Sequence, residues 1–169
     1  MSKRNTSAEL RTLLANTNHD DLWRRTFWDL LYYVDTSESP ENIELWRRYC
    51  EEHKELIPSP LFSFGSLDEL EEMSEYAPFI SFGLDLSYTD CRDDELKYII
   101  ESPILKLTKF LDLRGNLLGH QSAELLANSL KLQHLEELQI SDNPINEHGY
   151  ELIANSPYLC DAIKKQYKS

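Results

Sequence analysis

The chain has 169 residues, 41% of them hydrophobic, which is enough to bury a core in one folded domain and argues against general disorder. Its net charge of −13 excludes an electrostatic fit to nucleic acid or to an anionic membrane surface. The same charge favours a protein partner with a basic surface.

The cysteines and the apolar runs indicate in which cellular compartment the protein resides. Cys50, Cys91 and Cys160 are widely spaced, which fits neither a disulfide framework nor a zinc site. No apolar run resembles the core of a signal peptide or reaches the length of a membrane span. We therefore expect a cytoplasmic protein with reduced cysteines.

Acidic residues are concentrated in the middle of the chain. Residues 61–130 hold thirteen acidic and five basic side chains. Such a surface either steers a basic partner toward the protein or serves solubility alone, and the sequence leaves both interpretations open.

The first third of the chain carries the pattern of three helices. Thr6 and Glu9 have the spacing of a capping box, which predicts the start of the first helix. A second helix is predicted from Asp20 or Asp21, and Ser39–Pro40 predicts the start of a third. Apolar residues at helical spacing predict the buried faces: Leu10, Leu13 and Leu14; then Trp23, Phe27, Leu30, Leu31 and Val34; then Ile43, Trp46, Tyr49 and Cys50.

The periodicity changes after Pro60. Alternating apolar residues at 61–64 predict a short strand. Leu67, Leu70 and Met73 then predict one face of a helix.

Three later segments align without gaps at a spacing of 27 residues. Each contains a triplet with apolar ends, then Thr or Asn, then an apolar residue two positions further on, and then a helical stretch. The aligned positions are Leu84-Asp85-Leu86, Leu111-Asp112-Leu113 and Leu138-Gln139-Ile140; Thr89, Asn116 and Asn143; and Cys91, Leu118 and Ile145. The alternation predicts short strands whose apolar side chains point inward.

These motifs resemble the leucine-rich-repeat family, whose consensus is L-x-x-L-x-L-x-x-N-x-L. The copy from Leu135 to Ile145 satisfies every position with Ile accepted for Leu, and the copy from Thr108 to Leu118 misses only the first Leu. The resemblance covers about residues 79–160, and the repeat length is similar to that of the ribonuclease-inhibitor-like class.

The resemblance implies an α/β fold, a short leucine-rich-repeat solenoid with a parallel sheet on one face, helices on the other and an α-helical N-terminal cap. Residues 1–60 would form the capping region, residues 61–160 about three repeats, and residues 161–169 the C-terminal cap or tail. The sequence leaves open whether the segment from Leu61 to Pro78 is a degenerate fourth copy. The period places a next strand near Lys165, where the polar sequence predicts that the sheet stops.

The strand-to-helix turns have a chemical requirement of their own. An Asn there can bond backbone groups that the bend leaves unpaired, and Thr89 can supply only part of those bonds. Cys91 falls on an inward position, so we expect a buried thiol that acts as a small hydrophobic residue.

The resemblance also implies a non-enzymatic module that binds a protein through the concave sheet. Aligned on the family pattern, ten residues lie on that face: Asp85, Ser87, Tyr88, Phe110, Asp112, Arg114, Glu137, Gln139, Ser141 and Asp142. They include four acids and one base, which favours a basic protein partner. Two alternatives stay open: the N-terminal helices cover part of this face, Phe110 especially, or the helices with Trp23, Trp28 and Trp46 are themselves the binding element.

Other functions fit the sequence less well. An acidic face would also suit an inhibitor or immunity protein that neutralises a toxin or another enzyme by covering its active site. The sequence has no phosphate loop, nucleophile elbow or HExxH motif, and it indicates no cofactor. His120 and His148 could line a site and Asp93–Glu95 could hold a cation, but solvated histidines and a helix-start cluster explain them more simply. We expect a monomer when free, although an uncovered strand edge at Leu84 would allow self-association.

Overall fold

A computed structural model shows an α/β protein with an open, four-stranded parallel sheet. The structure describes residues 4–60, 62–76 and 80–168. Its helices are α1 (Thr6–Leu14), α2 (Asp21–Ser37), α3 (Pro40–Glu52), α4 (Leu67–Tyr76), α5 (Asp93–Glu101), α6 (His120–Asn128), α7 (Glu147–Ala154) and α8 (Asp161–Gln166). Its strands are β1 (Ser63–Phe64), β2 (Phe82–Asp85), β3 (Thr108–Asp112) and β4 (Glu137–Gln139).

Side-chain caps fix where the first three helices begin. Asp20 accepts a hydrogen bond from the Trp23 amide at 2.9 Å, and Ser39 precedes a proline in the first turn, as the sequence predicted. The predicted capping box at Thr6 is wrong. The cap is Asn5, whose side chain accepts from the Ala8 amide at 3.1 Å, and Thr6 is a buried residue of the helix itself.

The three N-terminal helices share a core built on aromatic rings. Phe27 is fully buried and lies between Trp23, at a ring-centroid distance of 5.2 Å, and Trp46, at 6.0 Å. This core continues into the start of the sheet through Phe82 and into the α5–β3 connection through Ile104. The helical region therefore packs directly against the first strands.

The strands pair in chain order, β1-β2-β3-β4, and every pair is parallel. Leu84, Leu111 and Leu138 share one register position, 27 residues apart, and all three are fully buried. The strand predicted at 61–64 is present as Ser63–Phe64, and it covers the edge of β2 at Leu84. Leu61 and residues 77–79 of the suggested fourth copy lie outside the described residues.

The helices keep the same spacing as the strands. α5, α6 and α7 begin at residues 93, 120 and 147, and 3-10 turns follow α5 and α6 at Pro103–Leu107 and Leu130–Leu132. These elements pack behind the strands around one apolar core that reaches Ile163 in α8. The strand spacing is not continued into residues 161–166, which form α8 in its place.

Candidate functional site

Strand alternation divides the side chains of the sheet between two faces. The leucines at the shared register position point into the core, so the residues before and after them point the other way. This second side, here named the outer sheet face, is formed by Gly83, Asp85, Phe110, Asp112, Glu137 and Gln139.

Buried asparagines hold the strand-to-helix turns. The Asn116 amide nitrogen donates to the Leu86 carbonyl at 2.8 Å and the Leu113 carbonyl at 2.9 Å, while its oxygen accepts from the Cys91 amide at 2.9 Å. Asn143 repeats the pattern one unit on. Thr89 has only a hydroxyl, which donates to the Leu86 carbonyl at 2.8 Å and so reproduces one of these bonds.

The turns beyond the strands form a second surface, here named the strand-end rim, which comprises residues 87–90, 114–117 and 141–144. Tyr88, Gly115 and Asp142 stand 27 residues apart in this rim and adopt the same left-handed backbone, with φ of 56°, 64° and 58°. Glycine and aspartate tolerate that conformation, whereas an aromatic residue rarely adopts it. A Cβ at Gly115 would also collide with the Tyr88 ring, so the Tyr88 side chain would have to move.

Nine of the ten residues predicted for partner binding are at least partly accessible. Those exposed are Asp85, Tyr88, Arg114, Glu137, Ser141 and Asp142, and those half-buried are Ser87, Phe110 and Gln139. The outer sheet face and the strand-end rim are continuous through the strands, so the structure brings these residues onto one side of the chain.

The prediction that Asp112 is an exposed binding residue is wrong. Asp112 is 1% exposed, and its carboxylate accepts hydrogen bonds from Nε and Nη2 of Arg114 at 3.0 and 2.6 Å. Arg114 stands in the turn two residues after Asp112, the last residue of β3, and this short separation allows the pairing. The hydrogen bond to Asp112 raises the pKa of Arg114, so the pair presents a guanidinium to solvent rather than a carboxylate.

The Asp85 carboxylate is held by its own turn. Its Oδ1 accepts from the Ser87 hydroxyl at 2.7 Å and from the Ser87 amide at 3.0 Å. These two hydrogen bonds lower the pKa of Asp85, which keeps the exposed carboxylate charged. Oδ2 of Asp85 has no hydrogen-bond partner among the described residues.

The half-buried Phe110 marks where the outer sheet face meets the helical region. It lines a groove with Phe62 and Ser63, which precede and begin β1, and with Arg24 of α2. Arg24 donates to the Pro60 carbonyl at 3.2 Å, which ties α2 to the segment before β1. The helical region thus borders Phe110 and leaves part of its ring accessible.

The C-terminal segment contributes residues that the sequence did not indicate. The Tyr167 hydroxyl donates to the Leu138 carbonyl at 2.7 Å, on the edge of β4 that faces away from β3. Burial raises the pKa of Tyr167 to about 12. Gln166 also reaches Gln139 of the outer sheet face at 3.4 Å. The only sequence signal was the end of the repeat period near Lys165.

The suggested histidine and cation sites have structural partners. The His120 and His148 rings stack at 5.3 Å, and each ring is paired with a glutamate of its own helix. Asp93 accepts from the Gly119 amide at 2.8 Å and from the Ser122 hydroxyl, which joins α5 to α6. Within residues 4–60, 62–76 and 80–168, no group of three or more His, Cys, Asp or Glu side chains is arranged to hold a metal ion.

All three cysteines are free thiols. Cys91 is buried, as predicted, and burial raises its pKa to about 11, with smaller contributions from the acids at the start of α5. Burial also raises the pKa of Cys50. Cys160 is partly accessible.

Comparison with protein-family models, curated proteins and solved structures found no match to this chain. In the part of the chain that the structure describes, no helix combines the length and the apolar character needed to cross a membrane.

Proposed function

We propose that this chain is a short leucine-rich-repeat protein that binds a basic protein partner and catalyses no reaction. The repeat assignment is supported by the common spacing of 27 residues in the strands and in α5, α6 and α7. It is also supported by the turn asparagines, which bond backbone groups of two neighbouring units at once. Residues 1–60 serve in this proposal as the N-terminal cap, because their core runs into β2.

The partner-binding surface in this proposal is the outer sheet face with the strand-end rim. The observation that carries it is the row of exposed acidic side chains on one side of the sheet. Asp85, Glu137 and Asp142 are exposed there, while the single base, Arg114, is already paired with Asp112. A surface of this charge attracts a basic protein and repels nucleic acid.

The size of the sheet limits what it can do alone. Four strands at about 4.8 Å spacing, each with about four residues at about 3.3 Å, give a face of about 250 Å². A standard protein interface buries about 800 Å² on each partner. The rim and the helical region, which borders the face at Phe110 and Arg24, must therefore supply most of the contact area.

The proposed function is tested with a photo-crosslinking residue placed at Glu137 on the outer sheet face. The matched control carries it at Glu124, an exposed residue of α6 on the helical side. In cells that produce this protein we expect position 137 to crosslink a basic protein and position 124 not to. Crosslinking of the same proteins with equal yield from both positions would contradict the assignment of the face.

The charge contribution is tested on the crosslinked partner. Asp85→Lys and Glu137→Lys should slow association, and raised ionic strength should slow it for the wild type, because steering by charge is screened by salt. Glu124→Lys is the control for a charge change away from the face. If the partner is an enzyme that loses activity on binding, the function is inhibition or immunity. If it keeps its activity, the function is that of an adaptor.

A further inference from the structure

Tyr88 occupies a backbone position that disfavours tyrosine. Its φ of 56° lies in the left-handed region, where the Cβ of an L-residue is crowded by the backbone. The corresponding residues of the next two units, Gly115 and Asp142, have the same conformation and are of types that adopt it readily. The fold thus accepts smaller residues at this position.

The Tyr88 side chain adds little to the core. It is 69% exposed, and one edge of its ring lies against Gly115. Most of the ring is left to solvent in the strand-end rim. A residue that strains the backbone without filling the interior is typical of a binding site.

Two charged groups stand near Tyr88 in the chain: Asp85, whose turn leads into it, and Arg114, next to the Gly115 on which its ring lies. Asp85 is exposed, and Ser87 holds its carboxylate through Oδ1 alone. The Asp85 charge contributes to the raised pKa of Arg114, but the Arg114 guanidinium is bonded to Asp112 through Nε and Nη2. The ring and the Asp85 carboxylate are therefore accessible to a cation from outside the chain.

We propose that Tyr88 and Asp85 form an anchor subsite for an arginine side chain of the protein partner, an assignment that rests on the proposed function. The guanidinium stacks on the exposed Tyr88 ring and pairs with the Asp85 carboxylate. A planar guanidinium can stack and donate in its own plane at the same time, which the compact ammonium of lysine cannot do. Asp90, Glu137 and Asp142 leave the surrounding surface acidic, which complements such a ligand.

The subsite is tested by nuclear magnetic resonance on the full, isotope-labelled chain. The probe is acetyl-Gly-Arg-Gly-amide in the millimolar range, and the matched probe replaces the arginine with citrulline, its neutral isostere. We expect the arginine peptide to move the backbone amide signals of residues 85–90 and 114–117. The citrulline peptide should leave them unchanged, and the corresponding lysine peptide should bind more weakly than the arginine peptide.

Three variants distinguish a binding role of Tyr88 from a purely structural one. Tyr88→Asn, which accepts the left-handed backbone, should weaken arginine-peptide binding by about two- to fivefold. It should unfold at the same or a higher urea concentration than the wild type, because it relieves strain. Tyr88→Phe keeps the ring and should bind normally. Tyr98→Ala removes an equally exposed tyrosine from α5 and should change neither property.

Each contrary result is distinct. Unchanged binding by Tyr88→Asn overturns the subsite, and so does a lower urea midpoint for that variant, because it would show that Tyr88 is kept for packing. If the amide signals that move are confined to β4 and those of residues 85–90 do not move, the subsite is overturned and the acidic face is left as the binding surface. If the arginine peptide moves no amide of the face or the rim, both the subsite and the preference for a basic partner are wrong.

Discussion

Replacing Asn116 with alanine removes one side chain that bonds backbone groups in two neighbouring units. Its amide nitrogen donates to the carbonyls of Leu86 and Leu113, and its oxygen accepts from the amides of Cys91, at 2.9 Å, and Thr89, at 3.1 Å. The substitution removes this partner from all four groups, but the Leu86 carbonyl still accepts from the Thr89 hydroxyl and the Leu113 carbonyl from the Asn143 side-chain amide.

The expected loss follows from where those groups lie. Leu86, Leu113 and Cys91 are buried, and Asn116 itself is 3% exposed, so water reaches this site poorly. Thr89 lies at the surface, where water can replace its bond. The Cys91 amide is then the buried group left unpaired, at about 1 to 3 kcal/mol, and the bonds lost at the two carbonyls add less, so we expect about 2 to 3 kcal/mol of lost unfolding free energy.

The matched control is Asn143→Ala. Asn143 makes the same kinds of bond but is half-buried, in the last turn of the sheet, so water can replace part of what is lost. We expect it to cost about 1 to 2 kcal/mol. Asn116→Asp keeps the acceptor and the shape but removes both donors, so it should also destabilise the fold at neutral pH.

Urea unfolding followed by circular dichroism measures these differences. The Asn116→Ala midpoint should fall with little change in slope, and its thermal midpoint should drop by about 5 to 10 °C for a chain of this size. A loss below about 1 kcal/mol for Asn116→Ala, or a larger loss for Asn143→Ala, would refute the reasoning that the buried asparagine holds two units together.

Three further predictions test other parts of the fold. Phe27→Ala should lower the unfolding free energy by about 3 to 5 kcal/mol, whereas Tyr32→Ala, an exposed change on the same helix, should alter it by less than about 0.5 kcal/mol in the same urea assay. In the folded protein at pH 8 a thiol reagent should label Cys160 first, because burial keeps Cys91 protonated until about pH 11; equal labelling rates would contradict this burial. The pKa of Tyr167 is about 12 in the folded chain, whereas the unfolded chain releases this proton from about pH 10. Stability should therefore fall as the pH rises from about 10 to about 12. Urea midpoints should show a shallower fall for Tyr167→Phe.

The sequence carried most of the information about the repeat because its signal is local and recurs. A leucine at the same place in each unit predicts an inward strand residue whatever the neighbours are, and Leu84, Leu111 and Leu138 are all buried. The N-terminal helices were also predictable, since their apolar residues recur at helical spacing. At the first helix both Asn5 and Thr6 can cap, and sequence spacing alone does not choose between them.

Surface residues were harder to predict, because accessibility depends on side chains that pair within the face. Arg114 stands two residues after Asp112, just beyond the end of β3, so their pairing could have been inferred, but the family pattern treats both positions as exposed. Tyr167 had no such signal, because it lies beyond the last repeat and reaches the sheet through the C-terminal helix. The left-handed backbone at Tyr88 was hidden for another reason. Tyrosine carries no signal for that conformation, and the sequence hinted at it through the glycine and aspartate at the equivalent positions, Gly115 and Asp142.

The two edges of the sheet constrain how a partner can bind. At one edge the Tyr167 hydroxyl donates to the Leu138 carbonyl, which a further strand would need as an acceptor. At the other edge β1 has only two residues, and the segment before it is held by Arg24 of α2 and packed against Trp28. Short or capped edges disfavour the addition of a strand from another chain. We therefore expect recognition to depend on side chains of the outer sheet face and the rim, so Tyr167→Phe should leave partner binding intact while Glu137→Lys weakens it.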